Sequence, residues 1–513
     1  MRRSPMTVAL VAASLALAAN TAHATGWHDR PCHDYDRSGG EWRQYGQDEA
    51  QSRVQQDEHD LGPAKAASLA PAWTFDVSSV GDTGQFNSTP TVSGGCVFTA
   101  SSTGNVYALD ADTGAVVWRA NVPVTKPGLG GDIVSAAIVV HGLVVLTVNE
   151  SGDGVAAGPY LLALDASSGR TVWRSKPMST KLDYYTNASP AYWGGILIAG
   201  YSPPEGQQVG QGGFVVVDSF FGHTLRNTPT IPPADQALGY SGGGLWSTAA
   251  FDNETGFAYI GAGNPFSHTV EHKNTNAILK IDARWWSPRF GDIVASYKGN
   301  ADQYTDALTT LSHTPVCDAT APIDFALDDP ACGQLDLDFG ATANVFRVNG
   351  HTYVGDLQKA GVYHVADAAT MAPAWNTIVG ASCFACNAAS TAADASGVYG
   401  VATPGGVAFA LDAATGDRRW VAPIGDGVHY ESTSVADGVT YTVDGNGVFA
   451  GWDAATGDPV FHRSLTADTG AVAGGLTSNG IAIAYHTVFV AADTTAPGAA
   501  GPEDHGFVVA YRA

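Results

Sequence analysis

The feature that most constrains this chain is a short passage written again and again along it. Residues 106–118 read VYALDADTGAVVW, two alternating apolar runs flanking a turn built from Asp110, Asp112, Thr113 and Gly114. The alternation gives two strands and D-x-x-T-G gives the tight link between them. Gly114 can take the positive φ such a turn needs, and the Asp and Thr side chains can bond the turn's own amides. The passage returns at 161–173, 213–225, 277–286 (a looser copy), 361–375, 406–420 and 447–461, and once more, cut short at the chain end, at 506–513. Its turn aspartates stand at 110, 165, 218, 282, 367, 412 and 453, and most spacings lie between 41 and 64 residues. A period of roughly 40–50 residues with several strands per unit predicts a β-propeller. Eight copies predict eight blades. Each unit can bury its apolar faces only against its neighbours, so the array must close into a ring. The last copy lacks the half after its turn, and LAPAWTFDV at 69–77 is the expected replacement. The prediction is an all-β, eight-bladed propeller closed by an N-terminal strand.

Residues 1–24 begin with Arg2 and Arg3, run through VALVAASLALAA and end Ala22-His23-Ala24, the pattern of a signal peptide cleaved after Ala24. No later run approaches the ~20 apolar residues of a membrane span. An exported protein is expected, periplasmic or extracellular, with an arm over 25–68 and the propeller over 69–513. Within the arm, GEWRQYGQDEAQSRVQ at 40–55 is expected to pack over the ring edge, anchored by Trp42 and Tyr45. The 49 acidic residues against 25 basic ones make nucleic acid and anionic membranes poor partners. In an oxidising compartment six cysteines favour disulfides. Cys317 and Cys332 bracket a loop and are expected to pair, and Cys383 and Cys386 form a short structural C-x-x-C. Cys32 and Cys96 are free to pair with each other, which the sequence does not decide. Asn387 follows Cys386 where a c-type haem attachment requires His, so no covalent haem is expected.

The segments W-R-Q-Y-G-Q-D at 42–48 and L-A-P-A-W-T-F at 69–75, with the repeated A-L-D-A-x-T-G-x-x-x-W, resemble the pyrroloquinoline-quinone (PQQ) dehydrogenase superfamily. The closest branch is the polyvinyl-alcohol-dehydrogenase-like one, and the resemblance covers about residues 40–513. It implies four-stranded, W-shaped blades. The repeat specifies the fold alone, so function has to be sought where the repeat breaks.

It breaks first at 241–267, SGGGLWSTAAFDNETGFAYIGAGNPFS. The resemblance makes Trp246 the flat floor under the quinone and Asn264 a metal ligand, chemically sound roles for an aromatic face and an amide oxygen. It breaks again at 335–342, LDLDFGAT, where Asp338 takes the place of the catalytic base and a metal-binding carboxylate. A register two residues earlier would move the base to Asp336 and make Asp338 the extra acid of lanthanide-using relatives; with Asp338 as base, Gly340 favours calcium. In GDLQKAGVY at 355–363, Lys359 matches the cation that polarises the quinone oxygens. Glu205 matches a metal-binding glutamate. Thr186 and Ser189 match hydroxyls that hold the cofactor's carboxylates, and Asn387 an amide that touches its rings. Glu205, Asn264 and Asp338 form an oxygen set suited to Ca²⁺.

Two departures stand out. No Cys-Cys pair is present to cover the quinone, and no haem domain is present, so electrons would leave to a separate cytochrome or quinone. HYEST at 429–433 falls near an expected blade edge at the mouth. The resemblance thus implies a PQQ- and Ca²⁺-dependent dehydrogenase of a small or polymeric alcohol. The other reading is a cofactor-free propeller serving as a binding or assembly scaffold, like the outer-membrane barrel-assembly lipoprotein, whose lipidation cysteine this chain lacks.

Overall fold

The turn at Asp110 folds as its residues require. Its Oδ1 accepts the N–H groups of Asp112 and Thr113 and the Thr113 hydroxyl, at 2.8–3.1 Å. Gly114, at φ +72°, returns its N–H to the Asp110 carbonyl. The circuit forms again at Asp412 with Thr415 and at Asp453 with Thr456. Gly114 has a second duty, because a Cβ there would stand 2.5 Å from the ring of Trp73 in the adjoining blade. Gly169 meets Trp118 in the same way, and Gly457 meets Trp420. Trp118 and Trp420 donate their indole N–H to Ala166 and Ala454, each beside the next turn aspartate, at 2.8 and 3.0 Å. The repeated passage is therefore both a hairpin and the joint between blades.

The computed structural model describes residues 31–122, 133–149, 158–181, 183–204, 210–266, 272–300, 337–380, 387–402, 406–424, 431–470, 480–494 and 505–513. Within them lie eight sheets, each with four antiparallel strands of the ring, and that of blade 7 also takes Val54–Gln55 of the arm in parallel. Blade 1 consists of Thr91–Ser93, Cys96–Ala100, Asn105–Asp110 and Val116–Asn121, innermost first. Blades 2 to 7 follow the same order. Blade 8 is composite. Ile481–Ala484, Thr487–Asp493 and Gly506–Arg512 supply three strands, and Ala70–Asp76 pairs with Gly506–Arg512 in register Trp73↔Ala510 and Phe75↔Val508. The truncated last copy is thus completed from the N-terminal side, and the ring is closed by main-chain hydrogen bonds.

A run of hydroxyls ties blades 2 to 6 together near the axis, each two residues ahead of its inner strand. Ser189 Oγ accepts from Ala136 N, Thr248 Oγ1 from Ser189 N, Thr342 Oγ1 from Thr248 N, and Ser390 Oγ from Thr342 N. Small hydroxyl residues suit this place because the inner strands converge there and every buried N–H needs an acceptor.

The arm runs around the axis on the face that carries the D-x-x-T-G turns. Trp42 exchanges backbone hydrogen bonds with Val92, and the carbonyls of Arg43, Glu49, Ala50, Ser52 and Arg53 take N–H groups from Val139, Phe251, Val345, Ala393 and Val435. Trp42 and Tyr45 are both buried, as expected of anchors. Tyr45 reaches the hydroxyls of Ser390 and Ser432. Arg53 is buried among the carbonyls of Tyr45, Thr433 and Ile481, with its charge over the Trp42 and Tyr45 rings. Burial lowers its guanidinium to about 10. Cys32 and Cys96 form a disulfide that fastens the arm to blade 1.

The expected leader, Glu205, Asp336, the pairs Cys317–Cys332 and Cys383–Cys386, and His429 and Tyr430 lie outside the described residues. Among the described residues no helix is long and apolar enough to cross a membrane.

Candidate active site

Each blade of this ring has two kinds of connection on the face away from the arm, the link into its inner strand and the link between its second and third strands. The breaks in the repeat fall in these links. Trp246 precedes the inner strand of blade 4, Ala250–Asp252, and Asn264 follows that blade's second strand, Phe257–Gly261. Asp338 precedes the inner strand of blade 5, Asn344–Val348, and Lys359 follows its second strand, His351–Gln358. Asn387 precedes the inner strand of blade 6, Ala392–Ala393. Ring closure brings all five to one place.

Asp338 is its centre. Oδ1 accepts the backbone N–H of Asn264 at 2.5 Å. Oδ2 accepts the indole N–H of Trp246 at 3.2 Å and faces Lys359 Nζ at 3.3 Å. The ammonium also stands 5.2 Å from the centre of the Trp246 ring. Asn387 donates to the Lys359 carbonyl at 3.2 Å, and Lys359 N–H to the Asp338 carbonyl at 3.0 Å. Asp338, Lys359, Asn264 and Asn387 are buried and Trp246 is half-buried. Glycines make the assembly possible. A Cβ on Gly340 would lie 2.5 Å from the Trp246 ring, and one on Gly263 would crowd Asp338 Oδ1 at 3.2 Å. The G-A-G-N-P and D-F-G-A segments thus need their glycines for close approach rather than for turns.

Thr186 and Ser189 stand apart from this group. Ser189 is a member of the run of hydroxyls near the axis. The Thr186 hydroxyl donates to Gly200 O at 2.7 Å and accepts from Ala188 N at 3.1 Å. Thr186 lies close to the group all the same, because a Cβ on Gly200 would meet Leu245, the residue beside Trp246.

A buried polar layer under Asp338 was missed in the sequence. Gln358 donates to Leu337 O at 2.6 Å, next to Asp338, and its Oε1 is 3.0 Å from His364 Nε2. The other nitrogen of His364 meets the Tyr297 hydroxyl at 3.0 Å. Burial drops this imidazole to about 4. Asp356 is fully buried, neither of its oxygens has a partner among the described residues, and burial pushes its carboxyl well above the usual range. The available signal was the polar alternation D-x-Q in G-D-L-Q-K, where a buried strand ordinarily carries aliphatic residues.

An ion-paired carboxylate, a buried ammonium and an indole come together here. Asp338 can exchange a proton, Lys359 can stabilise negative charge on an oxygen, and Trp246 can carry a flat ring. For a hard cation the described residues offer the oxygens of Asp338 and the Asn264 amide. Among the described residues no three His, Cys, Asp or Glu side chains come together as a metal cluster.

Comparison with known proteins agrees with the architecture. The family model described as outer membrane protein assembly factor BamB matches residues 59–232 and 359–511. The chain belongs to that family. It is 27% identical over 267 residues to quinohemoprotein alcohol dehydrogenase ADH IIB of Pseudomonas putida, covering 47% of this chain and 37% of that protein. It is also 27% identical over 245 residues to polyvinylalcohol dehydrogenase of Sphingopyxis sp. (strain 113P3), covering 44% and 35%. The chain therefore spans little more than a third of the length of these relatives. The quinohemoprotein alcohol dehydrogenase structure from Comamonas testosteroni shares the fold, with a TM-score of 0.67 at 16% identity over 92% of this chain and 80% of that one.

Proposed function

We propose that this chain is an exported PQQ- and Ca²⁺-dependent dehydrogenase that oxidises an alcohol, small or polymeric, with Asp338 as general base. The observation that carries the reading is the Asp338 carboxylate held between the indole N–H of Trp246 and the ammonium of Lys359. The residues fit the cofactor in kind: an indole braced by Gly340 for a flat ring, and a buried cation and amide for its oxygens. In this reading Trp246, Lys359 and Asn387 would hold PQQ, whereas the Thr186 hydroxyl already gives its proton to Gly200 O and Ser189 Oγ accepts from Ala136 N. Asn264, Asp338 and Glu205 hold the calcium ion. Bound PQQ supplies the two-electron acceptor for the hydride of the alcohol carbon.

The chain's own part is proton handling and orientation. Oδ1 of Asp338 is committed to the short bond from Asn264 N–H, whereas Oδ2 has longer contacts at 3.2 and 3.3 Å. Asp338 is the group that would take the hydroxyl proton. Lys359 stands 3.3 Å from that carboxylate and favours negative charge on an adjacent oxygen. Trp246, fixed by its N–H, sets the plane against which the alcohol is presented. Electrons then leave to a separate cytochrome or quinone.

The test is incubation of the purified chain with PQQ and Ca²⁺, read by quinone absorbance and alcohol-dependent dye reduction. Both signals are expected. No absorbance change at saturating PQQ would sink the reading and favour the scaffold that the matching family's description suggests.

A further inference from the structure

In six blades the first and second strands are joined by two residues only, a link that calls for the left-handed region at both. Blades 1, 2, 3, 5 and 7 place glycine second in the link, Gly95, Gly142, Gly195, Gly350 and Gly438, at φ +72° to +92°. Blade 8 does not. Between Ala484 and Thr487 it carries Tyr485 and His486, at φ +56° and +55°. A side chain in that conformation is held at a cost, so His486 stands where glycine would be easier.

Both side chains reach the arm. The Tyr485 hydroxyl donates to Glu41 Oε1 at 3.0 Å, and the Arg37 guanidinium lies 4.4 Å from the centre of its ring. His486 does something different. Its Nδ1 is 2.9 Å from Glu58 Oε1, and its Nε2 is 2.9 Å from the Ser38 hydroxyl. The Glu58 side chain is fully buried, and its Oε1 also accepts the N–H of Asp60 at 2.8 Å. A carboxylate only accepts, so in the neutral imidazole the ring proton is on Nδ1 and Nε2 is left to accept from Ser38. Ser38 is exposed and lines an open cavity of about 1110 Å³ beside the arm, and 37% of the His486 side chain is exposed. A buried carboxylate, the imidazole it orients and an accessible hydroxyl in one line are the parts that activate a serine nucleophile. The arm supplies Ser38 and Glu58 and blade 8 supplies His486, so the line forms only where the arm closes over the ring.

We propose that Ser38, His486 and Glu58 form a second reactive site, on the arm face, that cleaves activated carboxylic esters. Ser38 Oγ bonds to the ester carbonyl carbon while its proton passes to His486 Nε2. Glu58 is a positioning residue: it holds the Nδ1–H and faces the imidazolium. The bond from the carbonyl carbon to the leaving oxygen then breaks, that oxygen takes the proton from Nε2, and Ser38 is left acylated. Water attacks next, gives its proton to the same nitrogen, and the carboxylic acid departs as Ser38 Oγ recovers the proton. None of the three side chains is placed to stabilise the oxyanion, which confines the substrates to esters of acidic alcohols such as phenols. No electrons are exchanged, so the site is independent of the Asp338 reading.

The test uses the full chain without added cofactor. A fluorophosphonate probe is applied and the labelled residue mapped by mass spectrometry, and release of p-nitrophenol from p-nitrophenyl acetate is followed in parallel. A single label at Ser38 is expected. Ser38→Ala should abolish it and lower kcat/KM for the ester about a hundredfold or more. His486→Gly restores the residue that five other blades carry, so labelling should be lost while thermal unfolding is unchanged or raised. Glu58→Gln should lower kcat with KM unchanged. The exposed Ser38→Ala keeps the test decisive if His486→Gly unfolds. The proposal is overturned if the probe labels no serine or a different one, or if ester cleavage survives Ser38→Ala. Labelling that persists in His486→Gly while its thermal stability falls would make His486 a clamp on the arm alone, and would overturn it as well.

Discussion

The two faces of the ring are built on opposite rules. On the arm face the same contacts recur from blade to blade: an aspartate gathers its turn, a glycine admits the tryptophan of the adjoining blade, and an arm carbonyl caps the inner strand. At the Asp338 site on the other face, blades 4 to 6 each contribute different groups. Blade 4 offers an indole and an amide, blade 5 a carboxylate and an ammonium, and blade 6 an amide. Repetition serves cohesion, because identical joints distribute the load of holding the ring. Singular residues serve chemistry, because a reacting centre needs different groups at one point.

That contrast can be broken most directly at Asp338. Asp338→Asn should lower alcohol-dependent dye reduction about a thousandfold, with PQQ retained and the circular dichroism of the ring unchanged. Retained turnover would mean that the base lies elsewhere. On the opposite face, removing the disulfide with Cys32→Ser and Cys96→Ser should act on stability alone. Loss of a crosslink between residues 64 apart in sequence is expected to cost about 4 kcal/mol in denaturant unfolding. Turnover per folded molecule should be unaffected.

His364 sharpens the comparison from beneath the site. Its imidazole is held near 4, whereas in the unfolded chain it protonates near the ordinary 6.5. Below pH 6.5 the unfolded chain therefore binds a proton that the folded chain refuses until about pH 4. This group's contribution is complete above 6.5 and is lost as the pH falls toward 4, by about 3 kcal/mol. In His364→Gln the stability-versus-pH curve should be flatter over that window, and an unchanged slope would remove His364 from the account. The smallest effect belongs to one joint among many. Trp420→Phe keeps the ring but deletes the N–H on Ala454 O, and about 1 kcal/mol should be lost in the same unfolding measurement.

The sequence by itself determined the blade count, the hairpin turns, the completion of the last blade by residues 69–77 and the anchoring of the arm by Trp42 and Tyr45. These follow from period-two alternation and from turn chemistry spanning four or five residues, which any copy reveals by comparison with the others. It also drew attention to Trp246, Asn264, Asp338 and Lys359, because each interrupts the repeat. Only the tertiary structure decided that they meet, since Asp338 and Trp246 are 92 residues apart and become neighbours through ring closure. Tertiary packing likewise decided the pairing of Cys32 with Cys96, the commitment of Ser189 to the run of hydroxyls near the axis, and the buried layer of Gln358, His364 and Asp356. A buried polar side chain has the same letters as an exposed one. Its surroundings are set by strands far away in the chain, and those strands fix its charge and its partners.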